Sequence, residues 1–453
     1  DGYSQLSAYE RKRLKNITEN AKFFAALNLH EVSARLQGIA TKRQSNVTRR
    51  AKPKKAEDEP VRRRSMRLQR VEPSGIPMPE VPAQPGAEEY PWVPAGPVPM
   101  VPEDQTGDKP LTDDLLATWL RISEVTLVTT TNVFTMLSRY QDSLNSMFLS
   151  EANIKKVVKY RVCSMAIHPS ESVILVAAGD KSGQVGLWNV SCESEEGAQV
   201  FVPHSFPVSC MHFSPCNPAH LLSLSNETLR CGDVTRAVFD EICRSEDSSF
   251  SSFDFLEDGA STAIVGHWEG DVSVVDRRTP GTSPELSADV SFKRTRTVHV
   301  HPVHKQYFLA AGSVDVCIYD VRYLKSKGNK AVSSLTGHTK SVASAYFSPV
   351  TGNRVVTVCA DDKLRVYDTT SLTSVALLST IRFRAIWDPK REDCFVVGSM
   401  ARPRQIQVFR DTGTLLHSFW NADCLGSVCS INVLHPSKNI LVGGNSSGRL
   451  HVF

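Results

Sequence analysis

Much is missing from this 453-residue chain, and each omission narrows what it can be. Nowhere do 18 uncharged apolar residues run together, so no membrane-spanning helix is expected. None of the eleven cysteines falls in a C-x-x-C pair; they lie scattered between Cys163 and Cys429, and their number is odd. Neither a disulfide framework nor a zinc site has that spacing, so buried, reduced thiols of a cytosolic or nuclear protein are expected. The acceptor-like triplets at Asn16, Asn46 and Asn226 are then incidental. There is no G-x-x-x-x-G-K-[ST] phosphate loop, no nucleophile elbow and no paired catalytic signature, so neither an enzyme nor a cofactor is expected. His299, His301 and His304 form a cluster by letter. They divide between a strand and its Pro turn with no neighbouring Cys or carboxylate to complete a site, so no metal is expected either. The chain starts at Asp1, and the lack of a leader there carries no information.

What is present reads as a soluble globular protein with an appendage. The apolar fraction is 41%, the charged fraction 22% and the net charge +4. That small number conceals an asymmetry. Residues 1–70 hold 18 Lys and Arg against 7 Asp and Glu, leaving 34 against 41 for the rest. A basic arm on a mildly acidic body calls for a polyanionic partner.

Within residues 1–41, Ser7-Ala-Tyr-Glu10 and Asn28-Leu-His-Glu31 have the spacing of helix capping boxes. Apolar residues follow each at helical intervals: Leu14, Ile17, Ala21 and Phe24, then Val32, Leu36 and Ile39. Two short amphipathic helices are predicted, either packed on their own protein or docked on a partner. In residues 42–70 apolar side chains nearly vanish and basic clusters appear, among them Arg49-Arg50, Lys54-Lys55 and Arg62-Arg63-Arg64. Such a segment buries too little to offset its ordering entropy and is expected to be disordered, as a nuclear-import signal or solvated linker, a nucleic-acid tether, or both. Residues 71–110 form a Pro-rich linker, with ten prolines between positions 71 and 102. Residues 111–150 are a poorly defined connecting segment: Leu111–Ile122 suits a short helix capped by Thr112, and Val125–Leu137 is rich in β-branched residues.

From about residue 151 to the end the chain repeats. The copies run Val162–Asn189, Val208–Asp233, Phe250–Asp276, Arg296–Asp320, Ser341–Asp368, Arg384–Phe409 and Ser427–Phe453. Each has a strand ending in a His-Pro or Ser-Pro type turn, a small-residue strand, a polar loop, and a third strand ending in Trp/Tyr/Val-Asp or a relative. A period of about 40–45 residues is that of a four-stranded propeller blade. Gly337-His338, Asp361 and Tyr367-Asp368 make the fullest copy of the WD-repeat signature. The expected fold is all-β, a seven-bladed WD-repeat propeller over 151–453. Because the last copy stops after its third strand, the missing strand must precede Val162, and Ile154–Lys159 is the candidate.

Strand alternation assigns faces. On the face carrying the loops into each first strand and between the second and third strands fall Arg161, Lys181, His267, Trp268, Lys293, Arg294, Arg296, Lys340, Lys363, Arg382, Arg384, Arg402, Arg404 and Arg449. Asp180, Glu269 and Asp361-Asp362 are the main acidic exceptions. A ring of cations suits a phosphate backbone, and Trp268 adds an aromatic able to stack on a base. The same ring would also suit acidic or phosphorylated protein segments, which would make the protein an interaction scaffold without meaningful DNA affinity. On the opposite face, Asp276-Arg-Arg278 and Asp320-Val-Arg322 place arginines at equivalent sites of blades 3 and 4. An arginine fork suits backbone carbonyls and carboxylates of a protein partner, although each Arg can also pair with the Asp two residues before it. Asp233-Val-Thr-Arg236 misses the spacing by one.

Tyr9–Ile17, Arg63–Gly75, Gly266–Arg278, Ala385–Met400 and Gly443–Phe453 carry a specific resemblance. The sequence is similar to the WD-repeat-containing protein 76 family, kin to the smaller subunit of the UV-damaged-DNA-binding complex. That resemblance implies a nuclear protein of the DNA-damage response. It would bind double-stranded, damaged or base-modified DNA, associate with chromatin proteins and serve as substrate receptor of a cullin-4-type RING ubiquitin ligase, with no membrane partner. By position, Arg161, Lys181 and Arg294 match loops where the damage-binding relative meets the DNA backbone. The double D-x-R, with Asp276, Arg278, Asp320 and Arg322, resembles the motif that binds the ligase adaptor, the large damage-specific DNA-binding subunit. One departure is visible. The relative's long insertion before the sixth blade is absent here, where Leu378–Phe383 runs directly into Arg384–Trp387, which argues against base flipping by that route.

Overall fold

The computed structural model describes residues 93–103, 113–123, 137–192, 197–379 and 381–453. The two amphipathic helices, the basic segment, most of the Pro-rich stretch and residues 125–136 lie outside them.

Seven antiparallel sheets of four principal strands surround one axis. Their innermost strands are Val162–Ile167, Cys210–Phe213, Phe250–Phe255, Thr297–Val300, Val342–Phe347, Ala385–Trp387 and Ile431–Leu434. Each falls at or near the head of one of the sequence copies, which here become blades 1 to 7. Second strands lie between neighbouring sheets and are buried on both faces; Leu175–Asp180 is buried throughout. This explains their small and β-branched composition, since a bulky residue on both sides would force the blades apart. Interlayer clusters such as Ile264, Val272, Val298 and Phe308 fill the seams between blades, each large side chain contributing roughly 1.5–3 kcal/mol. At the Trp/Tyr-Asp position the hydroxyls of Tyr319 and Tyr367 donate to the carbonyls of Val290 (3.0 Å) and Thr336 (2.8 Å). The ring thus packs in the seam while its polar end is satisfied.

The ring closes as the sequence requires. Ile154–Lys156 runs antiparallel to Arg449–Val452, pairing Ile154 with His451 and Lys156 with Arg449. The strand ends at Lys156, and Val157 and Val158 turn into the core.

Three segments before the propeller dock onto it. Val98–Pro99 adds a fifth strand to the outer edge of blade 2, pairing with Phe239 and Val238; Pro99, lacking an N–H, is tolerated on an edge. The buried guanidinium of Arg230 reaches up from blade 2 and donates to the carbonyls of Gly96 (2.6 Å) and Pro94 (2.8 Å) and to Glu241 (3.0 Å). Part of the Pro-rich stretch is therefore a strap, held by groups more than 130 residues away. Helix α1 (Asp113–Ser123) buries Trp119 and Ile122 against blades 1 and 2, and its Thr118 hydroxyl accepts from the Asn189 side chain (3.0 Å). Helix α2 (Leu137–Ser146) packs Tyr140 and Leu144 against blades 6 and 7. There the Tyr140 hydroxyl donates to Asp388 (2.7 Å) and the Arg391 guanidinium lies 4.7 Å over the Tyr140 ring. No helix among the described residues is long and apolar enough to cross a membrane.

Candidate nucleic-acid and partner interfaces

The antiparallel order puts the loops entering each first strand on the same face as the loops joining second to third strands. On that face the basic residues gather into two groups at blades 1 to 4. In the first, the Lys181 backbone N–H donates to the Arg161 carbonyl (3.1 Å). Lys181 Nζ and Lys159 Nζ stand 5.1 and 5.2 Å from the centre of the Tyr160 ring. Sequence reasoning misses Lys159 and Tyr160; the signal for them is a basic-aromatic pair directly after the closing strand.

In the second group Trp268, Lys293 and Arg294 line a cleft of about 560 Å³ with Asn226, Ser249 and Glu269. The Arg296 guanidinium lies 5.7 Å from the Trp268 ring centre, a cation–π contact. Gly270 makes this approach possible. Its φ of +111° favours glycine, and a Cβ there would run into the Phe292 carbonyl, at the entry to the loop that carries Lys293 and Arg294. Lys293 and Arg294 are exposed.

Other candidates sit differently. Lys340 and Arg402 are exposed, and Arg404 Nη1 donates to the Met400 carbonyl (2.6 Å). Arg382 is spanned by Asp362 at 2.9 and 3.0 Å, so its charge is locally balanced. Arg384 turns into the axial channel, half-buried, because strand alternation at Arg384–Trp387 points every second side chain at the axis. His267, although adjacent to Trp268, is buried between the hydroxyls of Ser248 and Ser273 (both 2.7 Å) and belongs to the blade interior. Burial lowers its pKa to about 4, so it is neutral. The acidic exceptions weaken in the same way. Asp180 is buried, accepting from the Ser182 and Gln184 N–H groups (2.8 and 3.0 Å), and Asp361 pairs with Arg365 (3.2 Å). Glu269 is the acidic residue left exposed at the cleft.

On the opposite face Arg278 is held by its own Asp276 (Nε–Oδ1 3.0 Å, Nη2–Oδ2 2.7 Å), and Arg322 by Asp320 (2.9 and 2.6 Å). Hydrogen bonding from Arg278 lowers the Asp276 pKa to about 2. Both arginines nevertheless remain largely exposed, at 68% and 58%. The pairing fixes each guanidinium in one orientation and leaves its outer edge facing solvent. Tyr323, 73% exposed, stands 5.7 Å from the Arg322 guanidinium. Arg236, in the off-spaced segment, pairs instead with Asp240 (2.6 Å).

The histidine cluster is divided. His299 faces the channel, 3.9 Å from Asp254, while His301 and His304 sit in the turn below. Among the described residues His338, Cys359 and Asp361 lie close enough to share an ion. However, Arg365 donates to both His338 (2.7 Å) and Asp361 (3.2 Å), filling that position with a guanidinium.

Seven closed blades with these turns and tyrosine-aspartate strand ends define a WD-repeat β-propeller, and the WD domain, G-beta repeat family matches residues 329–368. WD repeat-containing protein 76 of Rhinolophus ferrumequinum is 53% identical over 100% of the chain and 74% of its own length. The Xenopus laevis protein of that name is 53% identical over 99% of the chain and 80% of its own length. The chain belongs to the WD repeat-containing protein 76 family. A more distant relative, DNA damage-binding protein CMR1 of Phaeosphaeria nodorum, is 24% identical over 98% of both chains. None of these names is that of an enzyme.

Proposed function

We propose that this protein is a nuclear, two-faced adaptor. Its basic face and basic arm bind DNA in chromatin, favouring damaged or modified sites, and its Arg278/Arg322 face binds the adaptor of a cullin-4-type RING ubiquitin ligase. The observation that carries the DNA reading is the cleft joining Trp268 to Lys293 and Arg294, with Arg296 against the ring. A flat aromatic between phosphate-seeking cations is the combination a nucleic acid requires and a generic acidic peptide does not. The DNA damage-binding names of the distant relatives agree with it. The ligase reading rests on two consecutive, exposed, pre-oriented D-x-R arginines.

The test of the DNA reading is the salt dependence of binding to a short duplex by the full chain. Reversing Lys181, Arg294 and Arg404 to Glu should reduce the slope of log K against log salt by about 0.9 for each phosphate that is no longer neutralised. An unchanged affinity and slope would remove the basic face from DNA recognition.

A further inference from the structure

The axial channel carries chemistry that neither face uses. Alternation along the innermost strands turns Cys210 and His212 of blade 2, Asp254 of blade 3, His299 of blade 4 and Tyr346 of blade 5 toward the axis; all are half-buried, and all but Cys210, the first residue of its strand, lie between buried neighbours. Cys210 Sγ lies 3.4 Å from His212 Nε2 and 3.6 Å from the Phe253 carbonyl oxygen. The His212 ring stands edge-on to Phe253, with centres 5.0 Å apart. The Asp254 carboxylate, on the adjoining strand, is fixed by the N–H groups of Val300 (2.7 Å) and Phe255 (2.8 Å). It acts on the imidazole, and Arg384 from blade 6 acts on the sulfur.

A thiol within reach of an imidazole, with a carboxylate favouring the imidazolium and a guanidinium favouring the thiolate, is the arrangement that activates a sulfur nucleophile. Burial alone would raise the Cys210 pKa and lower that of His212. Their mutual contact outweighs it, lowering the thiol and raising the imidazole to about 9. Cys210 begins its strand, so it sits at the end of the channel that opens on the basic face.

We propose that Cys210 is a reactive thiolate and a modification site for peroxides that enter the axial channel from the basic face. In the step, the sulfur attacks one oxygen of hydrogen peroxide. An S–O bond forms as the O–O bond breaks, and the departing hydroxide takes the proton from the His212 imidazolium and leaves as water. Sulfur gives up two electrons, the peroxide is reduced, and the product is a sulfenic acid at Cys210 beside a neutral His212.

The full chain, treated briefly with iodoacetamide and mapped by mass spectrometry, tests the thiolate. In that reaction the sulfur displaces iodide. Cys216, which is exposed, is mapped in the same digest to show that the reagent acted. The rate at Cys210 should change less between pH 6 and 8 than that of an ordinary thiol, which slows on the order of a hundredfold from pH 8 to pH 6. His212→Gln should slow Cys210 across this range and steepen its dependence on pH, because burial is then no longer outweighed. If that variant does not fold, the wild-type profile alone decides. Dilute hydrogen peroxide followed by dimedone should label Cys210 before other cysteines. A Cys210 that is unreactive, or whose rate falls on acidification as steeply as an ordinary thiol's, overturns the thiolate assignment, and a shallow profile without dimedone labelling overturns the peroxide assignment.

Discussion

His435 Nε2 lies 3.0 Å from the carbonyl oxygen of Ser170, joining the strand-turn of blade 7 to that of blade 1 across the point where the ring closes. The other nitrogen, Nδ1, accepts from the N–H groups of Ser437 (3.2 Å) and Lys438 (2.9 Å). The ring is therefore neutral, with its proton on Nε2 donated to the next blade. His168 repeats the device one blade on: Nδ1 accepts from the Ser170 N–H (3.1 Å) and Nε2 donates to the Pro218 carbonyl (3.1 Å). Both peptide groups of Ser170 are thus occupied by histidines of successive blades. At His168 and His435 the His-Pro signature is, in physical terms, an inter-blade hydrogen bond.

A second proton on such a ring would face backbone N–H donors, so acid should open the propeller. Burial lowers His435, and it lowers His168 to about 4, His267 to about 4 and His204 to about 3. An unfolded histidine titrates near 6.5. Above that value both states are neutral and stability does not depend on these groups. Between about 6.5 and 4 the unfolded chain binds protons that the native one refuses, so stability falls by up to about 1.4 kcal/mol per pH unit for each of His168, His267 and His204, and His435 acts in the same direction. Urea midpoints measured at pH 7.5, 6.0 and 5.0 should decrease steadily with an unchanged slope. A midpoint that holds to pH 5 would contradict the neutral, buried assignment.

Arg230 should behave as the fastening of the strap. Its side chain and that of Glu241 are 1% and 3% exposed, and Arg244 also contacts Glu241 at 2.8 Å. Removing Arg230 leaves the Pro94 and Gly96 carbonyls without their donor and Glu241 short of one partner. Breaking a buried pair costs about 3–5 kcal/mol, and with Arg244 still present the lower end applies. Arg230→Met should lose about that much in equilibrium unfolding and expose residues 93–103 to protease. A variant with native stability and an intact strap would show that the strap is held by its strand pairing alone.

Trp268 and Arg294 should separate two components of DNA binding. Stacking of a base on an aromatic ring is worth roughly 1–3 kcal/mol and involves no counterion. Trp268→Ala should therefore weaken duplex or single-strand affinity with little change in salt slope. Arg294→Glu should weaken binding and flatten the slope. If Trp268→Ala instead flattens the slope, its role is to hold Arg296 in place.

The seven blades and a closing strand, expected at Ile154–Lys159 and found at Ile154–Lys156, are legible in the sequence because each blade repeats the same burial problem, and an open last blade demands a partner. The strap is not. Val93–Glu103 has the composition of a spacer, and what holds it, Arg230 and Glu241, lies far along the chain in a strand that reads like any other. Side-chain direction is also partly hidden. Sequence position puts Arg384 and His267 with the surface loops, yet Arg384 adjoins an innermost strand whose two-residue period turns its side chain toward the axis, and His267 ends a second strand that is buried on both faces. That period is available in the sequence. The neutralisation of Arg382 by Asp362 across two loops is not.

The D-x-R face yields the prediction that best tests the second half of the proposed function. Arg278 and Arg322 are exposed, and truncating an exposed side chain away from the core changes stability little. The double variant Arg278→Ala with Arg322→Ala should therefore fold normally, keep its affinity for DNA, and lose co-purification of the ligase adaptor. The aspartates add a finer test. Asp276 and Asp320 each hold an arginine fork in one orientation, so rotamer freedom is already lost before a partner arrives. Asp320→Asn keeps the shape but weakens the grip on Arg322, and it should give a partial loss of adaptor binding, between wild type and Arg322→Ala. Binding that rises in Asp320→Asn would mean that the aspartate competes with the partner for the guanidinium rather than presenting it. Adaptor retained by the double arginine variant would remove this face from ligase recruitment altogether.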